Sequence, residues 1–194
     1  MWWLGGGGTA GAIALPFGAM TEAFQFRDIG PDEAAVYSRF ARDIFVATYG
    51  PHYPAARLDR HVGAAFSEAA QRQELLDARR TSIGVYTDDG AMAGFVVMHR
   101  SDTPPEVVGA RPVEVERFYV GEAHHGAGLA MRLMNTALAR ATANGHDAVW
   151  LSVWRDNARA IRFYEKAGFA RAGRIEFLFG GEMELDTLMA RTLP

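Results

Sequence analysis

Between Val120 and Ala130 the sequence reads VGEAHHGAGLA, and two glycines, Gly126 and Gly128, fall just ahead of a segment with helical periodicity. Glycines let a backbone approach an anion closely, and the first free N–H groups of a helix, helped by its dipole, can hold a pyrophosphate. The junction is a candidate phosphate cradle; a tight turn used for close packing would leave the same pattern. It is not a Walker loop, because no Gly-Lys-Ser/Thr follows. Nor is it a G-x-G-x-x-G fingerprint, because Met131 stands where the last glycine belongs.

Other residues nearby can move protons. Glu114 and Glu116 alternate onto one side of a strand with Phe118 and Val120, so either can accept a proton through water; as a structural pair they would simply be solvated strand carboxylates. Asn157 suits a helix N-cap, and Tyr164 lies two helical turns beyond it. Adjacent His124 and His125 point in different directions and no H-E-x-x-H or matching carboxylate accompanies them, so no metal is expected. No G-x-S-x-G elbow points to serine hydrolysis. Trp150 and Trp154 read as core residues, and Trp2 and Trp3 as part of a leader.

The elements that must position these groups follow from periodicity. Ala23–Arg27 alternates as a strand, a helix runs from Gly30-Pro31-Asp32 to about Thr48, and Leu58–Ala78 resumes helical spacing after Tyr49-Gly-Pro-His-Tyr-Pro54. Ser82–Thr87 and Met92–His99 form an expected hairpin about Asp88-Asp89-Gly90, and the loop from Ser101 to Pro112 contains three prolines. Val113–Val120 is a strand, Leu129–Ala143 a helix, Asp147–Val153 a buried strand and Asn157–Lys166 a short helix stopped at Gly168. Phe169-Ala170, Ile175–Phe179 and Met183–Arg191 are the last strands, the final pair joined around Gly180-Gly181. The order implies an α/β fold, a mixed sheet with helices on both faces.

Composition narrows the function. The 194 residues hold no cysteine, which excludes disulfides, thiolate metal sites and cysteine nucleophiles, and permits a reducing cytoplasm. Twenty Lys and Arg against 23 Asp and Glu give a net charge of −3, so a nucleic-acid partner is not expected and a cationic small substrate suits the chain better. Residues 1–19 are apolar and glycine-rich without Lys or Arg, lacking the charged start of a secretory signal. They read as a flexible leader or as the product of a start assigned upstream of Met20, with one domain over 20–194 and no membrane partner.

The cradle, with the preceding Glu116-Arg-Phe-Tyr-Val120, resembles the GNAT superfamily of acetyl-CoA-dependent N-acetyltransferases. Its [Gln/Arg]-x-x-Gly-x-[Gly/Ala] signature lies over His125-Gly126-Ala127-Gly128-Leu129-Ala130, with His125 in place of the usual Gln or Arg. A second block, Trp150 to Asn157 and on through Phe163-Tyr164 to Gly168-Phe169, is similar to the other wall of the family's cofactor site. Segments Tyr49–Pro54, Thr103–Pro105 and Phe177–Met189 look more loosely like bacterial polyamine N-acetyltransferases.

The resemblance implies a mostly antiparallel sheet with a splay between its two central parallel strands, and acetyl-CoA as cosubstrate. It implies cofactor contacts from Phe118, Tyr119, Val120, His125, Gly126, Ala127, Gly128, Leu129, Ala130, Asn157 and Lys166, with Arg159 beside the last as a solvated or phosphate-binding cation. Asn157 can cap its helix, bind the pantetheine, or do both. Tyr164 matches the family acid that protonates the departing thiolate, or is a core tyrosine; Glu116 is the favoured base. Direct transfer to a primary amine is expected, with a polyamine the favoured acceptor and peptide, protein lysine or aminoglycoside amines as alternatives. A non-catalytic acyl-CoA sensor is the reading from another class, and a homodimer is left open.

Overall fold

The structure, a computed structural model, describes residues 23–179 and 181–194; the leader expected over 1–19 and Gly180 of the last turn lie outside them. Seven strands form one sheet: β1 (Gln25–Asp28), β2 (Arg80–Tyr86), β3 (Met92–His99), β4 (Pro112–Val120), β5 (Ala148–Val153), β6 (Ala170–Phe179) and β7 (Glu182–Thr192). Their order is β1-β2-β3-β4-β5-β7-β6, antiparallel throughout except for the parallel pair β4–β5. Two neighbouring strands that point the same way need a long crossover, and helix α4 (Leu129–Ala143) supplies it.

Both faces are covered. Helices α4 and α5 (Ala158–Lys166) bury Leu129, Leu133, Met134 and Ile161 against Val96, Val113, Val115, Leu151 and Met189. On the other face α1 (Ala34–Tyr49) and α2 (Ala55–Ala65) bury Tyr37, Ala41, Phe45, Leu58 and Val62 against Phe95, Val97 and Phe179. From Phe95 to Met98 odd and even residues of β3 serve opposite cores, so the strand is buried almost throughout.

Three sequence expectations change. The single helix over Leu58–Ala78 is two, because Ser67 starts α3 (Glu68–Leu76): its hydroxyl accepts the Ala70 N–H at 3.2 Å. Phe169-Ala170 and Ile175–Phe179 are not separate strands, since β6 runs unbroken past a register shift between Arg171 and Gly173. Most consequential, β4 carries a bulge: Val97 pairs with Arg117 but Met98 with Val115, leaving Glu116 as the extra residue. The bulge flips the strand's alternation. Phe118 and Val120 join the α4/α5 core, whereas Glu116 faces the α1/α2 side with Tyr119.

Candidate active site

The parallel ladder between β4 and β5 is short. Pro112, Val113 and Glu114 pair with Ala148, Val149 and Trp150, after which β4 continues to Val120 and β5 to Val153 without pairing to each other. This is the expected splay. The Gly121 N–H bonds to Ala93 O at 2.8 Å, so odd-numbered residues at this end of β4 bond to β3. The backbone groups of Phe118 and Val120 therefore point the other way, into the opening. Nε2 of His125 lies 2.8 Å from the Val120 carbonyl, so this side chain fastens the following loop to the strand end.

Beyond that fastening the chain enters the cradle. Gly126 and Gly128 have φ of +84° and +77°, which L side chains adopt only with strain, and a Cβ built on either meets nothing within 4 Å. Gly128 is the N-cap of α4 and offers no side-chain cap; the first intrahelical bond is Arg132 N–H to Gly128 O at 3.1 Å. The N–H groups of Leu129, Ala130 and Met131 thus lie at the helix end with open space before them. Such an opening, lined by main-chain donors and with no acidic side chain among residues 125–130, fits a pyrophosphate.

Helix α5 forms the next wall. Asn157 Oδ1 accepts the Ala160 N–H at 3.0 Å, so the capping role is present. Tyr164 is buried against Phe118, Phe163 and Phe169, with ring centroids 6.3, 5.3 and 5.9 Å away, and burial pushes its hydroxyl well above the ordinary tyrosine range. It stays protonated at neutral pH. Arg159 and Lys166 are both exposed, and Lys166 sits at the far end of α5, about 13 Å along the axis from Asn157.

Through the splay, on the opposite face, lies a chamber of about 270 Å³. Its walls are rings: Phe45, Tyr49, Tyr53, Phe66, Tyr119, Trp154, Phe177 and Phe179, with His61. Trp154, expected in the core, instead packs against His52 at 4.8 Å and lines this space. Tyr49 and Tyr119 share a hydrogen bond, and burial raises both hydroxyls. Arg57 holds the β6–β7 hairpin in place: its Nε donates to Phe179 O at 3.0 Å, its Nη2 to Glu184 at 2.8 Å, and its guanidinium lies over the Tyr53 and Phe179 rings.

Three carboxylates reach the chamber, those of Glu116, Glu184 and Asp186. Glu116 is gripped by Arg80 through two bonds of 3.1 Å, with Arg117 and His99 each at 3.9 Å; despite burial these charges hold it below the usual glutamate range. Such a group is a weak proton acceptor, which counts against the role expected of it. Glu114 lies one step behind, hydrogen bonded to Ser101, with its carboxyl raised by burial. Asp186 is 8% exposed, and burial with the nearby Glu184 pushes its carboxyl up to about 6. The sequence reading missed it, since one aspartate in a hydrophobic strand gives no signal until the hairpin turns it inward.

A further cavity, of about 290 Å³, lies at the other end of α4 among Arg79, Arg100, Arg111 and His146, away from the splay. No group of three or more metal-ligating side chains occurs among the described residues.

A family model described as the Acetyltransferase (GNAT) family matches residues 39–169, more than half of the chain. The chain belongs to that family. It is accordingly an acetyl-CoA-using N-acetyltransferase, with the fold that the family shows. An uncharacterized N-acetyltransferase of Mycobacterium bovis is 37% identical over 132 residues, 68% of this chain and 80% of its own length. Among solved structures, the PaiA N-acetyltransferase of Thermoplasma acidophilum in complex with coenzyme A superposes with a TM-score of 0.69 at 17% identity, covering 88% of this chain and 99% of that one. Nourseothricin acetyltransferase matches with a TM-score of 0.52 and 31% identity over 61% of this chain and 68% of its own.

Proposed function

We propose that this GNAT enzyme transfers acetyl directly from acetyl-CoA to the primary amine of a small acceptor, a polyamine being the favoured one. The observation that carries this reading is the ring-walled chamber bearing Asp186 and Glu184, which lies beside the splay between β4 and β5. Aromatic faces and carboxylates together suit an alkylammonium. The hairpin residues Glu182 and Glu184 are both paired with Arg57, which leaves Asp186 as the chamber carboxylate placed to meet the acceptor nitrogen.

When bound, acetyl-CoA supplies an activated thioester. The main-chain N–H groups of residues 126–130 hold its diphosphate, and Lys166 meets a more distant phosphate. The Phe118 and Val120 edges and the Asn157 side chain align the pantetheine, with Tyr119 and His125 fixing the strand end. Val120 N–H donates to the thioester oxygen as negative charge grows there. Tyr164, a neutral phenol at pH 7, gives its proton to sulfur. Amine and thioester thus meet in one complex, and no covalent enzyme intermediate forms.

A second acceptor class, that of antibiotic amines such as aminoglycosides, is favoured by one finding, the 31% identity to nourseothricin acetyltransferase, whose name puts nourseothricin in the acceptor role. Thiol release with spermidine, a lysine peptide, an aminoglycoside and nourseothricin separates the readings. Highest kcat/KM for spermidine is expected; preference for an antibiotic moves the assignment to the second class, and coenzyme A binding without turnover of any amine moves it to a sensor. The lack of cysteine in the 194 residues fits work in a reducing cytoplasm, and no described helix is long and apolar enough to cross a membrane. A homodimer is compatible with this reading, and light scattering checks it.

A further inference from the structure

An alkylammonium with a pKa near about 10.4 is only on the order of one part in a thousand neutral at pH 7, so the acceptor must lose a proton before its nitrogen can attack. The chamber offers three carboxylates, and two are engaged. Glu116 accepts both bonds of the Arg80 fork, and Glu184 accepts from Arg57 at 2.8 Å. Asp186 differs: no arginine among the described residues pairs with it, Arg155 acts on it only at longer range, and the Ser152 hydroxyl is the polar side chain beside it.

The fold puts Asp186 beside the opening. Ser152 lies on β5 beyond Trp150, the last residue paired with β4, and Leu193 N–H bonds to Asp147 O at 2.8 Å. That bond sets odd-numbered residues of β5 toward β7, so the backbone of Ser152 turns toward the splay. Asp186 precedes Thr187, the partner of Val153, and so stands level with the mouth of the gap. The charged and titratable groups around it are Glu184 on its own strand, Arg155 after β5, and Tyr49 and Tyr53 at and just beyond the end of α1.

We infer that Asp186 is the proton acceptor of the transfer, taking a proton from the acceptor ammonium in the chamber. This rests on the amine-transfer reading above. Over the reaction the ammonium loses two protons. The first passes to an Asp186 carboxylate oxygen and frees the nitrogen lone pair, which forms the N–C bond. As the C–S bond breaks, Tyr164 gives its proton to sulfur, and the second amine proton restores Tyr164 through water. Asp186 then releases its proton to solvent, so one proton is released per turnover. A carboxyl pushed up to about 6 is ionised at pH 7 yet more basic than an exposed aspartate, as a general base should be.

The test compares Asp186→Asn with the parent enzyme on two acceptors: the best alkylamine, and 2,2,2-trifluoroethylamine, which is already neutral at the assay pH. Loss of a general base predicts a fall of about 100-fold or more in kcat/KM for the alkylamine. The acidic limb near pH 6 should vanish with it, while trifluoroethylamine falls less than about threefold and calorimetry shows unchanged coenzyme A binding. Equal falls for both amines would mean a structural role and overturn the inference, as would retention of the rate and the acidic limb. If the parent enzyme acetylates neither amine, the amine-transfer reading itself fails.

Discussion

Glu116 and Arg80 form a two-pronged pair, Nε and Nη2 each 3.1 Å from a carboxylate oxygen, with both side chains largely buried. The pair joins β4 at its bulge to β2 across β3, and Asp77 holds the same guanidinium at 2.9 Å. Arg117, the next residue, is clasped by Glu74 of α3. A charge network thus occupies the wall of the chamber that alternation alone would have given to a base.

Arg80→Gln should lower stability by about 1–3 kcal/mol at neutral pH, because it leaves a partly buried carboxylate with poorer partners. Glu116 sits below its unfolded value, so the pair's contribution is present above pH 4.5 and lost as pH falls through the lower folded value. Denaturant titrations at several pH values check this: the gap between parent and variant should close in acid and stay open at pH 7.

Gly126→Ala and Gly128→Ala meet no atom, so their cost is the left-handed backbone alone, about 1–2 kcal/mol. Both should also weaken coenzyme A binding about tenfold or more by calorimetry, since the cradle is where the backbone must pass close to the ligand. Gly90→Ala, at φ +83° with nothing near, supplies the control. It should lose similar stability with no change in coenzyme A affinity.

Tyr164→Phe removes the hydroxyl and keeps the ring among Phe118, Phe163 and Phe169. Coenzyme A affinity and melting temperature should change little, while kcat falls about 10- to 100-fold with the loss of a general acid. A parent-like kcat across the pH range would remove Tyr164 from the reaction.

Asp186 also marks a stability cost. Its folded value lies above the unfolded 3.8, so the native state binds the proton more tightly, and stability falls as pH rises from about 4 through about 6. Above pH 7 the charged form costs at most about 3 kcal/mol, at 1.36 kcal/mol per unit. Asp186→Asn should therefore melt several degrees higher than the parent at pH 8 and about the same at pH 4, even as its activity is lost.

The local backbone features of the cradle and of the α5 start were legible in the sequence, and the make-up of the chamber was not, for a physical reason. The cradle is local: Gly126 and Gly128 need positive φ whatever surrounds them, and Asn157 caps the helix it begins, so residue types reveal both. Chamber residues come from α1, β4, the end of β5 and the β6–β7 hairpin, and only tertiary packing brings Trp154 and Asp186 together. A single inserted residue explains why Glu116 does not share a side with Phe118 and Val120, because a bulge reverses every later side of a strand and leaves no mark in a pattern of alternating types. The Phe66-Ser67 break between α2 and α3 was legible, since Ser67 is an ordinary N-cap inside an apparently continuous repeat.

An unpaired row of peptide groups on the outside of a sheet invites another chain to dock. Here the raw edge is internal: Phe118 and Val120 turn their amides toward a strand that has veered away, while Gly121, bonded to Ala93, has its partner. Hydrogen–deuterium exchange should find the first two amides fast and Gly121 slow in the free protein, with the difference erased by coenzyme A. The ligand would then behave as a missing eighth strand, and its saturation at 100 times Kd would stiffen the whole domain by about 2.7 kcal/mol.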